Sequence, residues 1–411
     1  MKIKLTLKGS SLGQSLKNII YLFLARGVDL FVPLIITPYL IRVIELDKMG
    51  MIAFSIAVAG YAGIVIRFGF EITAVRDISR VLINKDEVDE QFNKTLFTSL
   101  FLTIGCLVFF IAIFNFGLFK YEGILFFSSF LYIAFQALLP VWFFQAIEKI
   151  KTVAILNGIF KLIYIFGVIS FVKSPDDYLW VVILNALAMG GAFITSIFII
   201  VNIYKVKIFM PSYRSIFICM KGSTDAFLSQ LAPSLYNNSA VFILGLFSAD
   251  KVVGVYSAVM GLLEAMISIG RVVFSAFISL LSKDIAYHRL YSQAMLAIGA
   301  FLSMFLMFFC DEIINIYFNQ RNTLATELLF IGAVSVFGVF MFLSYNSGYL
   351  MIAGHEIIAR NITIFCSVLS FIISLLLIYN FGAIGAVIAI VIARLLLGGV
   401  SWAFVLRVKK C

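Results

Sequence analysis

Residues 19–41 read IIYLFLARGVDLFVPLIITPYLI. A helix rises about 1.5 Å per residue, so this stretch covers the roughly 30 Å hydrocarbon core of a bilayer, and its reading decides the class of the fold. Arg26 and Asp29 lie inside it. A lone charge at the centre of a transmembrane helix costs about 2.5–3.5 kcal/mol on insertion scales, so two such charges mark a pair or a functional site.

The rest of the chain supports the same class. Of the 411 residues, 63% are apolar and 13% are charged, too few polar groups to cover a soluble surface. Apolar runs of helical length recur throughout, whereas a transmembrane barrel would show short alternating segments. An all-α polytopic membrane protein is therefore expected, with twelve spans near 18–43, 50–75, 95–118, 122–146, 152–172, 179–203, 216–247, 252–280, 291–311, 324–347, 361–380 and 383–406.

Charge sets the orientation. If the basic N-terminus MKIKLTLKGSSLGQSLKN stays in the cytoplasm, the outer loops hold only Arg42, Lys48, Lys120, Lys173, Lys251 and Arg321 of the 31 basic residues. Five more fall within spans, and the cytoplasmic segments collect the rest. This asymmetry predicts both termini in the cytoplasm. The net charge of +10 is then accounted for by loops facing anionic lipid, with no nucleic-acid partner. The N-terminal segment lacks a small-residue cleavage site after a short apolar core and is expected to be retained. The five cysteines are scattered without metal-ligand spacing, and His288 and His355 fall in different loops, so neither a metal site nor a cofactor is expected. No loop is long enough for a catalytic domain, which argues against a membrane-embedded glycosyltransferase or polymerase.

A basic connector, residues 205–220, separates residues 1–204 from 221–411, each with six spans. Six is even, so both halves start from the same side and any duplication is a parallel repeat about an axis along the membrane normal. LDKMGMIAFSIAV at 46–58 resembles ADKVVGVYSAVMG at 249–261 when one residue is gapped.

The charges inside the spans are the candidate site. Arg26 and Asp29 lie about 60° apart on the first span, and Glu264 and Arg271, seven residues apart, about 20° apart on the eighth. Arg67 and Glu71 have the i, i+4 spacing that lets side chains touch on one helix. Lys161 extends a polar stripe with Asn157 and Tyr164, Asp225 makes the seventh span unusually polar, and Arg394 lies deep in the last. Arg26 and Arg271 fall in the cytoplasmic half of their spans and are expected to face one water-filled vestibule between the halves. Arg26, Arg271, Arg67, Lys161 and Arg394 are candidate anion-binding residues; Asp29, Glu264, Glu71 and Asp225 are candidates for charge pairing or ion coupling. Pro33 and Pro38 in the first span and Pro233 in the seventh are candidate hinges, because each removes a helical hydrogen bond.

The segment PLIITPYLIRVIELDKMGMIAFSIAVAGYAGIVIRFGFEITAVRDISR, residues 33–80, resembles polysaccharide-exporting flippases of the Wzx type, in the multidrug/oligosaccharidyl-lipid/polysaccharide (MOP) exporter superfamily. The matching elements are Pro33-Leu34, Pro38-Tyr39-Leu40 with Arg42-Val43, Gly50, and Gly69-Phe70 followed by Arg76-Asp77-Ile78-Ser79, with VGVYSA at 253–258 in the second half. Glu45 stands where that family commonly has glycine, and Arg67 where an acidic residue often precedes Gly-Phe. The resemblance implies a MOP-type fold in a bacterial inner membrane. It also implies movement of undecaprenyl-pyrophosphate-linked oligosaccharide, usually an O-antigen repeat unit, from the cytoplasmic to the periplasmic leaflet by alternating access. Membrane lipids, a coupling ion (H+ or Na+), and O-antigen polymerase and chain-length proteins are the implied partners. A multidrug exporter of the same superfamily is the alternative, although an acidic cavity would suit its usual cationic cargo better.

Overall fold

The structure, a computed structural model, describes residues 12–117, 119, 121–281 and 284–408, with side chains at all of these except 12–33, 232, 233, 235–238, 276, 279 and 286. Every regular element among them is a helix: α1 (Leu12–Arg67), α2 (Phe70–Arg80), α3 (Lys85–Asn115), α4 (Gly123–Leu138), α5 (Val141–Ala146), α6 (Ile150–Phe171), α7 (Tyr178–Asn202), α8 (Tyr213–Phe247), α9 (Asp250–Leu281), α10 (His288–Phe308), α11 (Cys310–Phe318), α12 (Thr323–Phe342) and α13 (Glu356–Val408), with a π-helical turn at Leu343–Leu350 and short 3-10 turns. Nine segments among the described residues are long and apolar enough to cross a membrane. Two of them contain a break, at Glu45 in α1 and Gly382 in α13, and the 35-residue α8 is long enough to cross as well. The arrangement is consistent with twelve passages.

Local chemistry explains where helices begin. The Asn84 side chain accepts the Asp86 N–H, with Asp86 and Glu87 in the first turn of α3, so that helix starts ten residues before the expected span. Ser212 caps α8 and Asn322 caps α12 in the same way. Pro140 ends α4 and starts α5. One expectation needs correction. Arg67 and Glu71 do not share a continuous helix, because Phe68 (φ 40°) and Gly69 (φ 77°) turn the chain between α1 and α2. Their side chains still approach to 4.0 Å across that turn. Pro38 sits in helical backbone, and the break in α1 falls at Glu45 instead.

The long α1 binds the chain together by packing along α9 and also against α4 and α8. Gly50 of α1 meets the backbone of α9 at Asp250, and Gly254 of α9 meets the backbone of α1 at Leu46. At the same end Arg42 donates to the Ile316 carbonyl at 3.2 Å, and the Tyr121 hydroxyl donates to Asp250 Oδ1. At the opposite end α2 meets α8: the Thr73 and Ser223 hydroxyls are 2.8 Å apart, and Phe68 stacks on Phe227 at 4.5 Å. The buried Asn93 of α3 donates to the Lys207 carbonyl at 2.7 Å and accepts the Phe209 N–H at 3.0 Å, which fastens the connector to α3. His288 does not lie in a loop. It opens α10, fully buried, with Nε2 3.1 Å from the Ser344 carbonyl oxygen in the π-helical turn.

Candidate functional site

The centre of the site is Glu264. It lies on α9 two turns before Arg271, and this spacing brings both side chains to one face. Arg271 Nη2 donates to Glu264 Oε2 at 2.9 Å. Arg394, from α13, donates through Nη2 to Glu264 Oε1 and through Nη1 to the Ser335 hydroxyl of α12 at 3.0 Å. The approach of α12 to α13 makes the last bond possible. A Cβ on Gly338 would stand 2.8 Å from the Arg394 carbonyl carbon, and one on Gly398 2.9 Å from the Gly338 carbonyl oxygen, so only glycine lets these backbones come so close.

Glu264, Arg271 and Arg394 line a cavity of about 390 Å³ whose wall also includes Val241, Met260, Val339, Phe342 and Ile390. The Arg394 side chain is 5% exposed, against 51% for Arg271 and 39% for Glu264. A buried guanidinium is tolerated only with good partners, and Arg394 has two. Two guanidinium groups around one carboxylate leave the cavity with one uncompensated positive charge, because arginine stays protonated at any accessible pH. Arg271, which is half exposed, presents that charge. Tyr256 lies on the same wall, its hydroxyl buried and without a hydrogen-bond partner among the described residues.

Of the residues expected from sequence, the structure brings Arg271, Arg394 and Glu264 together. The Arg67–Glu71 pair stands apart at the α1–α2 turn, Lys161 is half-buried on α6 and does not line this cavity, and Asp225 is exposed on α8. Arg26, Asp29, Pro33 and Pro233 lie outside the described side chains. Sequence reasoning missed Ser335 and Tyr256. Ser335 and Gly338 are three residues apart, a small-residue face that allows close helix approach in membranes. Tyr256 lies within the VGVYSA element already singled out.

Residues 15–283 match the family described as polysaccharide biosynthesis protein. A putative O-antigen transporter of Shigella dysenteriae is 26% identical over 388 residues, covering 93% of this chain and 97% of that protein. A putative O-antigen transporter of Escherichia coli strain K12 is 26% identical over 246 residues, 59% of each chain. Among solved structures, the lipid II flippase MurJ in an inward closed conformation superposes with a TM-score of 0.73 at 14% identity, over 94% of this chain and 87% of that one. A MATE family multidrug resistance transporter of the MOP superfamily, inward-facing, gives 0.64 at 15% identity, over 94% and 98%. At such identities the superpositions speak for the fold alone, and that fold is the MOP transporter fold. The match over residues 15–283 is a match in sequence, and by it the chain belongs to the polysaccharide biosynthesis protein family.

Proposed function

We propose that this chain is a transporter rather than an enzyme: a flippase that moves undecaprenyl-pyrophosphate-linked oligosaccharide, an O-antigen repeat unit, from the cytoplasmic to the periplasmic leaflet of a bacterial inner membrane. The observation that carries the reading is the surplus positive charge of Arg271 and Arg394 around the single carboxylate of Glu264, in a cavity among membrane-spanning helices. A pyrophosphate diester brings about two negative charges. One guanidinium–phosphate contact near 4 Å is worth about 4 kcal/mol at an effective dielectric of 20, before desolvation. Arginine also offers the planar fork that phosphate oxygens accept. The names of the relatives support the same cargo class.

In this reading two six-helix halves, residues 1–204 and 221–411, rock about the cavity, and both termini face the cytoplasm. The reciprocal contact of Gly50 with Asp250 and of Gly254 with Leu46 supports a repeat, since Leu46 and Asp250 each precede their glycine by one helical turn. Arg26, whose side chain lies outside the described ones, is proposed from its sequence position as a second cation for the pyrophosphate. A membrane potential of 100 mV favours outward movement of an anion by about 2.3 kcal/mol per charge, which supplies drive with or without a coupling ion. Deletion of the gene tests the reading. Lipid-linked oligosaccharide should then build up on the cytoplasmic face, and the wild-type gene, but not Arg271→Ala, should clear it. Unchanged lipid-linked intermediates together with new drug sensitivity would point to multidrug export instead.

A further inference from the structure

Arg271 and Arg394 share Glu264 unequally. Arg394 is enclosed and held from two sides, by Ser335 and by Glu264 Oε1. Arg271 is half exposed, and among the described residues its guanidinium meets only Glu264 Oε2. Its remaining N–H donors are therefore available to the cavity. Glu264 faces the cavity between the two, with one oxygen on a fixed cation and the other on an accessible one.

We propose that Glu264 is a displaceable internal anion. It occupies Arg271 while the cavity is empty of cargo and yields that guanidinium to an incoming phosphate, while Arg394 keeps hold of its other oxygen. The proposal rests on the reading that the cavity receives a phosphate group, and deepens it by assigning the release step. The exchange is balanced in hydrogen bonds. Arg271 trades a carboxylate oxygen for a phosphate oxygen, Glu264 stays beside Arg394, and the surplus positive charge of the cluster is met by one of the cargo's phosphate negative charges. Departure of the cargo reverses each step. A carrier needs such a balance, because a guanidinium with no competitor would hold the anion too tightly to let it go. Fixed anchoring by Arg394 keeps the carboxylate within reach, so it returns to Arg271 without rebuilding the cavity. Ser335 makes that anchor independent of Glu264, because Arg394 retains a partner throughout the exchange.

The test uses the full chain in lipid nanodiscs, with inorganic pyrophosphate as the probe and calorimetric titration as the readout. Glu264→Gln keeps the shape of the side chain and removes the competing charge, so pyrophosphate should bind about tenfold more tightly than to the wild type, within the usual range of coupling between ligands. In transport the same variant should lower both KM and turnover, a split that a merely structural role would not produce. Glu264→Asp serves as the second variant if the glutamine form fails to accumulate. Its carboxylate is one methylene shorter, stays with the fixed Arg394 and releases Arg271, so binding should again tighten. Arg271→Ala should abolish binding in every background. If Arg271→Ala abolishes binding but neither Glu264 variant tightens it, the exchange is wrong and the anion site stands. If Arg271→Ala binds pyrophosphate as the wild type does, the anion site itself is wrong, and the exchange falls with it.

Discussion

Gly50 and Gly254 cross with their backbones in contact, and the contact is reciprocal: a Cβ on the first would be driven into the Asp250 carbonyl, and a Cβ on the second into the Leu46 carbonyl. No side chain can be accommodated by a rotamer change, because the obstacle is main chain on both sides. Gly50→Leu and Gly254→Leu should each separate α1 from α9 at this end and cost about 1–3 kcal/mol, the usual range for overpacking. Thermal unfolding of the purified variants checks this, and an unchanged melting temperature would contradict the crossing.

Glu45 occupies backbone (φ 67°, ψ 162°) that is nearly confined to glycine. The carboxylate does nothing to offset this in the structure, since no hydrogen bond or ion pair of Glu45 is found among the described residues. Glu45→Gly should raise stability by about 1 kcal/mol, and Glu45→Val should lower it, because a β-branched side chain tolerates the conformation least. The comparison of the two melting temperatures decides it. A loss of stability in the glycine variant would mean that the side chain has a use the geometry does not reveal.

Tyr256 offers a different kind of test. Its buried hydroxyl has no partner among the described residues, so Tyr256→Phe should leave stability unchanged or raise it by up to about 1 kcal/mol. If that hydroxyl meets cargo in the cavity, export should nevertheless fall several-fold with protein abundance intact. Normal export in the phenylalanine variant would remove Tyr256 from the binding wall.

Asp177 accepts three hydrogen bonds, from the Lys173 and Ser174 N–H groups and from the Ser174 hydroxyl, at 2.8–2.9 Å. These bonds hold its carboxyl below the usual carboxylate range. A lowered value means that the contribution to stability is present above the unfolded carboxyl's value and is lost as pH falls through the folded one. Asp177→Asn should therefore melt earlier than the wild type at neutral pH, and the gap should close in acid. A gap that stays the same size however far the pH is lowered would assign the effect to packing rather than charge.

The membrane class was legible because burial in lipid requires long apolar runs. The Glu264–Arg271 pair was legible because both partners sit on one helix, where spacing fixes direction. Arg394 could be named from its depth, but its place beside Glu264 could not, since that depends on how α12 and α13 approach α9 across 130 residues of chain. The same limit hid Ser335. Arg67 and Glu71 show the opposite failure: the spacing was right for a helix, yet Gly69 turns the chain between them, and a lone glycine in an apolar run does not announce a break. His288 looked like a loop residue because its partner, the Ser344 carbonyl, lies 56 residues further along the chain.

The Asn93 bonds set a limit on distance. Because Phe209 is tied to α3 and Ser212 already caps α8, the slack between the two helices is only Met210, Pro211 and Ser212. Fully extended, three residues reach about 10 Å. The start of α8 can thus swing away from α3 by no more than this leash before the Asn93 bonds must break, whatever the length of the connector as counted in sequence.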